Sequence, residues 1–244
     1  MGDGLGKRVL NEQIGKAVNV REIYRYLGYG ANIPDDNIKS MIETVLENLI
    51  QVIKPKSIYN IYDCRSAETE VMLIGEGDKT NLNVSEAVVF ESRNLASNLR
   101  QCSRVVLLAA TLGIEADKLM QKYELLNMAK ASMVQSCGAA CIEAYCDILQ
   151  ENICEEASKC FGEKMYLRPR FSPGYGDLAL ENQKQIFSML ECTKRAGITL
   201  TDSLIMYPTK SVTAFIGLTD NPQSCHIDKC SSCDNTVCEY RNKG

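Results

Sequence analysis

A single histidine, His226, is all the imidazole this 244-residue chain has. Any Ser-His-Asp or Cys-His nucleophile system would have to be built on that residue near the C-terminus, which argues against hydrolases of those types. There is no basic excess either. Lys and Arg number 27 against 31 Asp and Glu, a formal charge of −4, so the chain lacks the surplus needed to neutralise a run of phosphates. Small ligands or other proteins are the expected partners, and nucleic acid is not. The longest apolar stretch, Val105 to Ile114, is about half of a membrane span. The N-terminus, MGDGLGKRVLNEQ, has no apolar leader segment, and Gly6 stands where a myristoylation signal wants Ser or Thr. A soluble, cytoplasmic protein without membrane attachment is therefore expected. With no tryptophan and five phenylalanines, the core has to be built mainly from Leu, Ile, Val, Ala, Met and Tyr.

What is present is ordinary globular composition, 45% apolar and 24% charged. After a short polar lead, Arg21 to Leu27 reads as helix, and Pro34-Asp35-Asp36 supplies the turn and cap of a longer one. In that second helix Ile38, Met41, Ile42, Val45, Leu46, Leu49, Ile50 and Ile53 fall at helical period. Ser57 to Tyr62, Glu70 to Ile74, Val105 to Ala110 and Lys164 to Arg170 read as strands, with a turn at Glu76-Gly77-Asp78. Leu204 to Tyr207 with Ser211 to Leu218 reads as strand, turn and strand around Pro208. Helices are expected at Glu91 to Arg100, near Glu115, from Leu125 to about Cys160, and over Ala179 to Met189. The long one carries Ser132, Ser136, Gly138, Ala139 and Ala140, a stretch thin enough for close packing. Strands and helices mix without βαβ regularity, so the expected class is α+β: a twisted, largely antiparallel sheet with flanking helices, one domain over 1–220 and a Cys-rich tail over 221–244. Most of the twelve cysteines read as reduced, buried, small apolar residues.

Arginine, proline, glycine and tyrosine concentrate in Tyr166-Leu-Arg-Pro-Arg-Phe-Ser-Pro-Gly-Tyr-Gly-Asp177, between a predicted strand and a predicted helix. Loops so placed commonly hold ligands. Arg170 offers a planar fork for a carboxylate, and Gly174 lets backbone approach a ligand closely. The alternative is a Pro-Gly turn with a surface arginine. Thr111-Leu-Gly113 lacks the further residues of a nucleotide loop and reads as a turn and cap. Tyr24, Tyr26 and Tyr29 read as core packing, and Glu115 and Asp117 as first-turn acids favoured by the helix dipole.

Arg170-Phe-Ser-Pro-Gly174-Tyr175 resembles the R-x-x-x-G-Y signature of the activation domain of cobalamin-dependent methionine synthase. Ser203-Leu-Ile-Met-Tyr-Pro-Thr-Lys-Ser-Val-Thr-Ala-Phe215 is similar to that family's S-x-x-M-W/Y-P-x-x-S-V-S/T segment, and Gly138-Ala-Ala-Cys-Ile-Glu-Ala-Tyr145 sits where the family has a small-residue helix with an acidic side chain, here Glu143. The resemblance spans roughly residues 20 to 218. It implies binding of S-adenosylmethionine, with Arg170, Ser172, Gly174 and Tyr175 in the ligand loop. Arg170 would hold the carboxylate, Tyr175 would face the sulfonium and Glu143 would favour the ammonium; a solvated helix carboxylate is the other reading of Glu143. It further implies reductive reactivation of a partner methionine synthase, in which an electron, typically from flavodoxin, and a methyl group from S-adenosylmethionine convert cob(II)alamin to methylcobalamin. No side chain need then act as acid, base or nucleophile.

The chain departs from the familiar arrangement, in which this domain ends a long polypeptide. No D-x-H-x-x-G corrin-ligating motif is possible, since Ser224-Cys225 precedes His226, so cobalamin is expected on a partner chain and this protein as a stand-alone subunit. The family's further acidic contact has no clear counterpart; the Asp35-Asp36 pair is one position for it. In the tail, Cys225, Cys230, Cys233 and Cys238 are spaced for one metal centre, either an iron-sulfur cluster or zinc, with His226 able to replace Cys225. The other reading of the whole is a noncatalytic iron-sulfur or zinc docking subunit for another corrinoid protein.

Overall fold

The computed structural model describes residues 3–30, 32–75 and 87–222. In chain order the elements are α1 (Asp3–Ala17), α2 (Val20–Tyr26), α3 (Asp36–Val52), β1 (Lys56–Ser66), β2 (Glu70–Ile74), β3 (Val88–Glu91), α4 (Arg93–Asn98), β4 (Arg104–Thr111), α5 (Ile114–Leu126), α6 (Met128–Phe161), β5 (Tyr166–Leu167), a 3₁₀ turn (Leu180–Asn182), α7 (Gln183–Leu190), α8 (Cys192–Ala196), β6 (Thr199–Leu200), β7 (Met206–Tyr207) and β8 (Ser211–Thr219). This is the expected α+β class; among the described residues a mostly antiparallel six-stranded sheet runs in the order β3-β2-β1-β4-β8-β5 with eight helices. Two compact units divide the chain, the first 1–57, 110–149 and 196–212, the second 58–109, 150–195 and 213–244.

In the first unit, Asp35 caps α3 as its sequence suggests, its carboxylate accepting from Ile38 N at 2.9 Å. Helical spacing then turns Ile42, Val45 and Leu49 to one face, where they are buried with Ile14, Val18 and Ile23. The residues read as a polar lead are helix α1; the low apolar content of Asp3–Ala17 hid a helix whose Asn11 amide donates to the carbonyls of Ile50 at 2.9 Å and Ile53 at 3.0 Å, the otherwise unmet end of α3. Tyr24 and Tyr26 pack partly buried against the same core. The helix expected from Leu125 starts instead at Met128, because the preceding α5 ends at Leu126 and Asn127 is extended.

In the second unit the register is set by alternation. Val71 and Leu73 of β2 are buried between exposed or half-buried neighbours, and Val71 pairs with Phe90 of β3. Phe90 meets Phe215 edge to face at 4.9 Å between ring centroids. Strand β3 was not expected, and it takes Glu91 from the predicted helix. The strand predicted over Lys164 to Arg170 is only Tyr166–Leu167, paired with Thr219 and Leu218, followed by an isolated Phe171 to Phe215 bridge.

The two strands expected around Pro208 both form, the first only as Met206–Tyr207, but they join different sheets. Tyr207 and Met206 pair with Thr199 and Leu200 in a separate two-stranded sheet, while β8 joins the large one. A strand of two residues carries too little alternation to declare its partner. The expected turn at Glu76-Gly77-Asp78, His226, and the candidate ligands Cys225, Cys230, Cys233 and Cys238 lie outside the described residues. No described helix is long and apolar enough to cross a membrane.

Candidate functional site

The loop from Arg170 to Asp177 leaves the sheet at a pair of backbone hydrogen bonds. Phe171 N donates to Phe215 O at 2.9 Å and Phe215 N donates to Phe171 O at 2.8 Å. Tyr175 N then donates to Ser172 O at 3.2 Å, Leu178 N to Tyr175 O at 3.1 Å, and Gly174 N to Leu178 O at 2.8 Å, so the loop folds on itself. Gly174 at φ +90° and Gly176 at φ +56° supply backbone that side-chain-bearing residues rarely adopt. Space is short as well. A Cβ on Gly174 would lie 3.3 Å from Leu180 Cδ1, and one on Gly176 would lie 2.5 Å from Asn94 Nδ2.

That fold sorts the predicted residues. Pro173 is buried under the loop, Ser172 is half-buried, and Tyr175 stands 68% exposed. Arg170 is half-buried, and one guanidinium nitrogen donates to Gln150 Oε1 of α6. At the far end Asp177 accepts from Ser92 Oγ, from Arg93 N at 2.8 Å and from Asn94 N at 3.1 Å. Partial burial alone would raise the Asp177 carboxyl, but these donors outweigh it and hold it below the ordinary value.

A sequence profile of the vitamin B12 dependent methionine synthase activation domain matches residues 35–243. The chain belongs to that family. The match runs past Leu218, further than the resemblance over residues 20 to 218, and takes in the tail. The fold is similar to a crystal structure of the MetH reactivation domain bound to AdoHcy, with a TM-score of 0.65 and 16% identity over 86% of this chain and 77% of that one. No curated protein matches the sequence significantly.

Within this activation-domain chain, the first unit holds the other predicted residue. Glu143, exposed on α6, lines a cavity of about 300 Å³ with Asn19, Glu22, Arg25, Tyr26 and Asp147. Three carboxylates against one guanidinium leave that lining acidic; Glu22 accepts from Arg25.

The Met206-Tyr207-Pro208-Thr209-Lys210 segment of the same unit is held by Asp117, which the sequence marked only as a first-turn acid. It is 2% exposed and accepts from Thr209 Oγ1 and, at 3.2 Å, from Thr209 N. Lys210 lies along α6 at Gly138, where an added Cβ would come 2.9 Å from Lys210 Cε, so the thin stretch of that helix seats a lysine stem. Burial lowers the Lys210 pKa against the opposing pull of Asp117.

Sequence reasoning missed both aspartates as anchors. Asp177 could have been suspected from its place directly after the signature, whereas Asp117 acts on a turn 92 residues away and left no local trace.

Proposed function

We propose that this chain binds S-adenosylmethionine through Arg170, Ser172, Gly174 and Tyr175 and serves the reductive reactivation of a methionine synthase whose cobalamin is carried by a separate chain. The observation that carries the reading is the Arg170 to Asp177 loop. It combines a half-buried guanidinium, a glycine in the left-handed region and an exposed tyrosine ring within six residues, on a chain of the activation-domain family. A planar fork suits an amino-acid carboxylate, and an aromatic face suits a sulfonium. The AdoHcy bound to the MetH reactivation domain has the same amino-acid and nucleoside parts.

Bound S-adenosylmethionine would supply the methyl group, and an external donor such as flavodoxin the electron. The chain's own residues bind, orient and shield. The ammonium role of Glu143 rests on the family resemblance and has its own test in Glu143→Gln. The separate cobalamin chain is part of the proposal and is tested by supplying such a chain in trans.

For the tail, four cysteines within fourteen residues support one metal centre held by Cys225, Cys230, Cys233 and Cys238. An iron-sulfur cluster is favoured over zinc because it transfers single electrons. Anaerobic purification with iron, sulfide and zinc analysis tests it; four freely titratable tail thiols and no metal would reject it.

Calorimetry tests the ligand. Saturable binding of S-adenosylmethionine is expected, and Arg170→Ala should weaken it by about 2 kcal/mol, the loss when a carboxylate is deprived of a charged partner. Identical binding by wild type and variant, or none by wild type, would refute the assignment.

A further inference from the structure

We infer that Asp177 is a positioning residue for the ligand loop, a role that rests on the reading of Arg170 to Tyr175 as the S-adenosylmethionine site. The loop is anchored at both ends. Its start is fixed by the reciprocal Phe171 and Phe215 backbone bonds, 2.9 and 2.8 Å, which belong to the sheet. Its far end is closed by the turn bonds of Leu178 to Gly174 and Tyr175 and is tied to the neighbouring helix by one side chain. Asp177 reaches the first turn of α4, taking the N–H groups of Arg93 and Asn94 and the hydroxyl of Ser92.

Ser92 is already the N-cap of that helix, its Oγ accepting from Leu95 N at 2.9 Å. Helix α4 therefore has its own cap, and the Asp177 bonds are additional to it. They join the loop to a rigid neighbour, since Leu95 and Ala96 on α4 are buried in the second unit. Gly176, one residue before, presses its backbone against the Asn94 side chain, so loop and helix meet at two successive residues.

Between the anchors lie Ser172 to Gly176, including two residues with positive φ. Without the tie to α4 the segment keeps its own turn bonds but gains freedom at its two glycines, which has to be removed again when a ligand binds. Asp177 thus acts on the ligand through Gly174 and Tyr175 and touches none of it.

The experiment measures S-adenosylmethionine binding by the 244-residue chain carrying Asp177→Ala, Asp177→Asn or, as a core-destabilised control in the same unit, Val71→Ala. All are read well below their melting temperatures. Asp177→Ala should raise the dissociation constant about tenfold. Asp177→Asn keeps one acceptor oxygen and should fall between that variant and wild type, and Val71→Ala should bind as wild type does. Unchanged affinity in Asp177→Ala, or an equal loss in Val71→Ala, overturns the role. If Asp177→Ala fails to fold, Asp177→Asn against Val71→Ala is read by the same criteria.

Absent binding by wild type would refute the ligand assignment, and the positioning would then be read without ligand. The chain has no tryptophan, so Leu180→Trp places a single indole beside Gly174. Added Asp177→Ala should increase its quenching by acrylamide; an unchanged indole overturns the inference.

Discussion

Gly174 is the residue where shape and chemistry bear on each other most directly. Its left-handed backbone turns Tyr175 outward while Leu180 closes the space behind it. Gly174→Ala should cost about 1–2 kcal/mol in unfolding free energy, from the left-handed penalty on an L side chain, and should weaken S-adenosylmethionine binding relative to wild type. Thermal denaturation and calorimetry on the same preparation check both. The buried thiols give a second prediction at this scale. Burial pushes Cys64, Cys137 and Cys192 up to about 12, with Cys102 adding to the effect at Cys64, and it raises Cys141 further. In native protein at pH 8, a thiol reagent should therefore modify exposed Cys160 and leave these four unmodified until the chain unfolds. Peptide mapping reads the difference, and rapid native labelling of Cys141 would contradict the core described here.

At the scale of elements, the carboxylates that accept from first-turn N–H groups differ in how visible they are in sequence. Asp35 lies next to the helix it caps, so Pro34-Asp35-Asp36 was legible. Asp35→Ala should destabilise the chain by about 1 kcal/mol in denaturant unfolding. Asp177 lies 84 residues from Arg93, and its tie to α4 was not legible. Its sign with pH is definite. Because the folded carboxyl is held below the ordinary aspartate value of 3.8, its stabilisation is complete above that value and is lost as pH falls through the depressed one. Asp177→Asn should flatten that part of the acid-unfolding curve, measured as the unfolding midpoint in denaturant against pH. The same contrast explains the strands. β4, with seven of eight residues buried, announced itself as a continuous apolar run, while β5, β6 and β7 have two residues each and are defined only by what they pair with.

For the whole molecule, the α+β class followed from the mixture of periods along the chain, and the candidate ligand loop was singled out by one compact motif. What stayed hidden was long-range: the pairing of β7 with β6, the two anchoring aspartates, and the helical nature of Asp3–Ala17. Each depends on residues brought together by the fold, about which local pattern is silent. The proposed reaction is also a property of the whole. Mixed with a cobalamin-carrying methionine synthase in the cob(II) state, a reductant and S-adenosylmethionine, this chain should restore the methylated cofactor, read from its visible spectrum. Omission of S-adenosylmethionine should abolish recovery, and a lack of recovery in its presence, although the chain binds it, would favour a docking role.

Helices α1 and α2 precede the stretch that matches the family, which starts at Asp35, yet Ile14 and Ile23 are fully buried against Ile42, Val45 and Leu49. A polypeptide trimmed to begin at Asp35 would leave the apolar stripe of α3 wet and the carbonyls of Ile50 and Ile53 without the Asn11 amide. Stripped of that cover, the shortened protein is expected to aggregate on expression, so the boundary that is safe to cut lies ahead of α1 and not at the edge of the recognisable family.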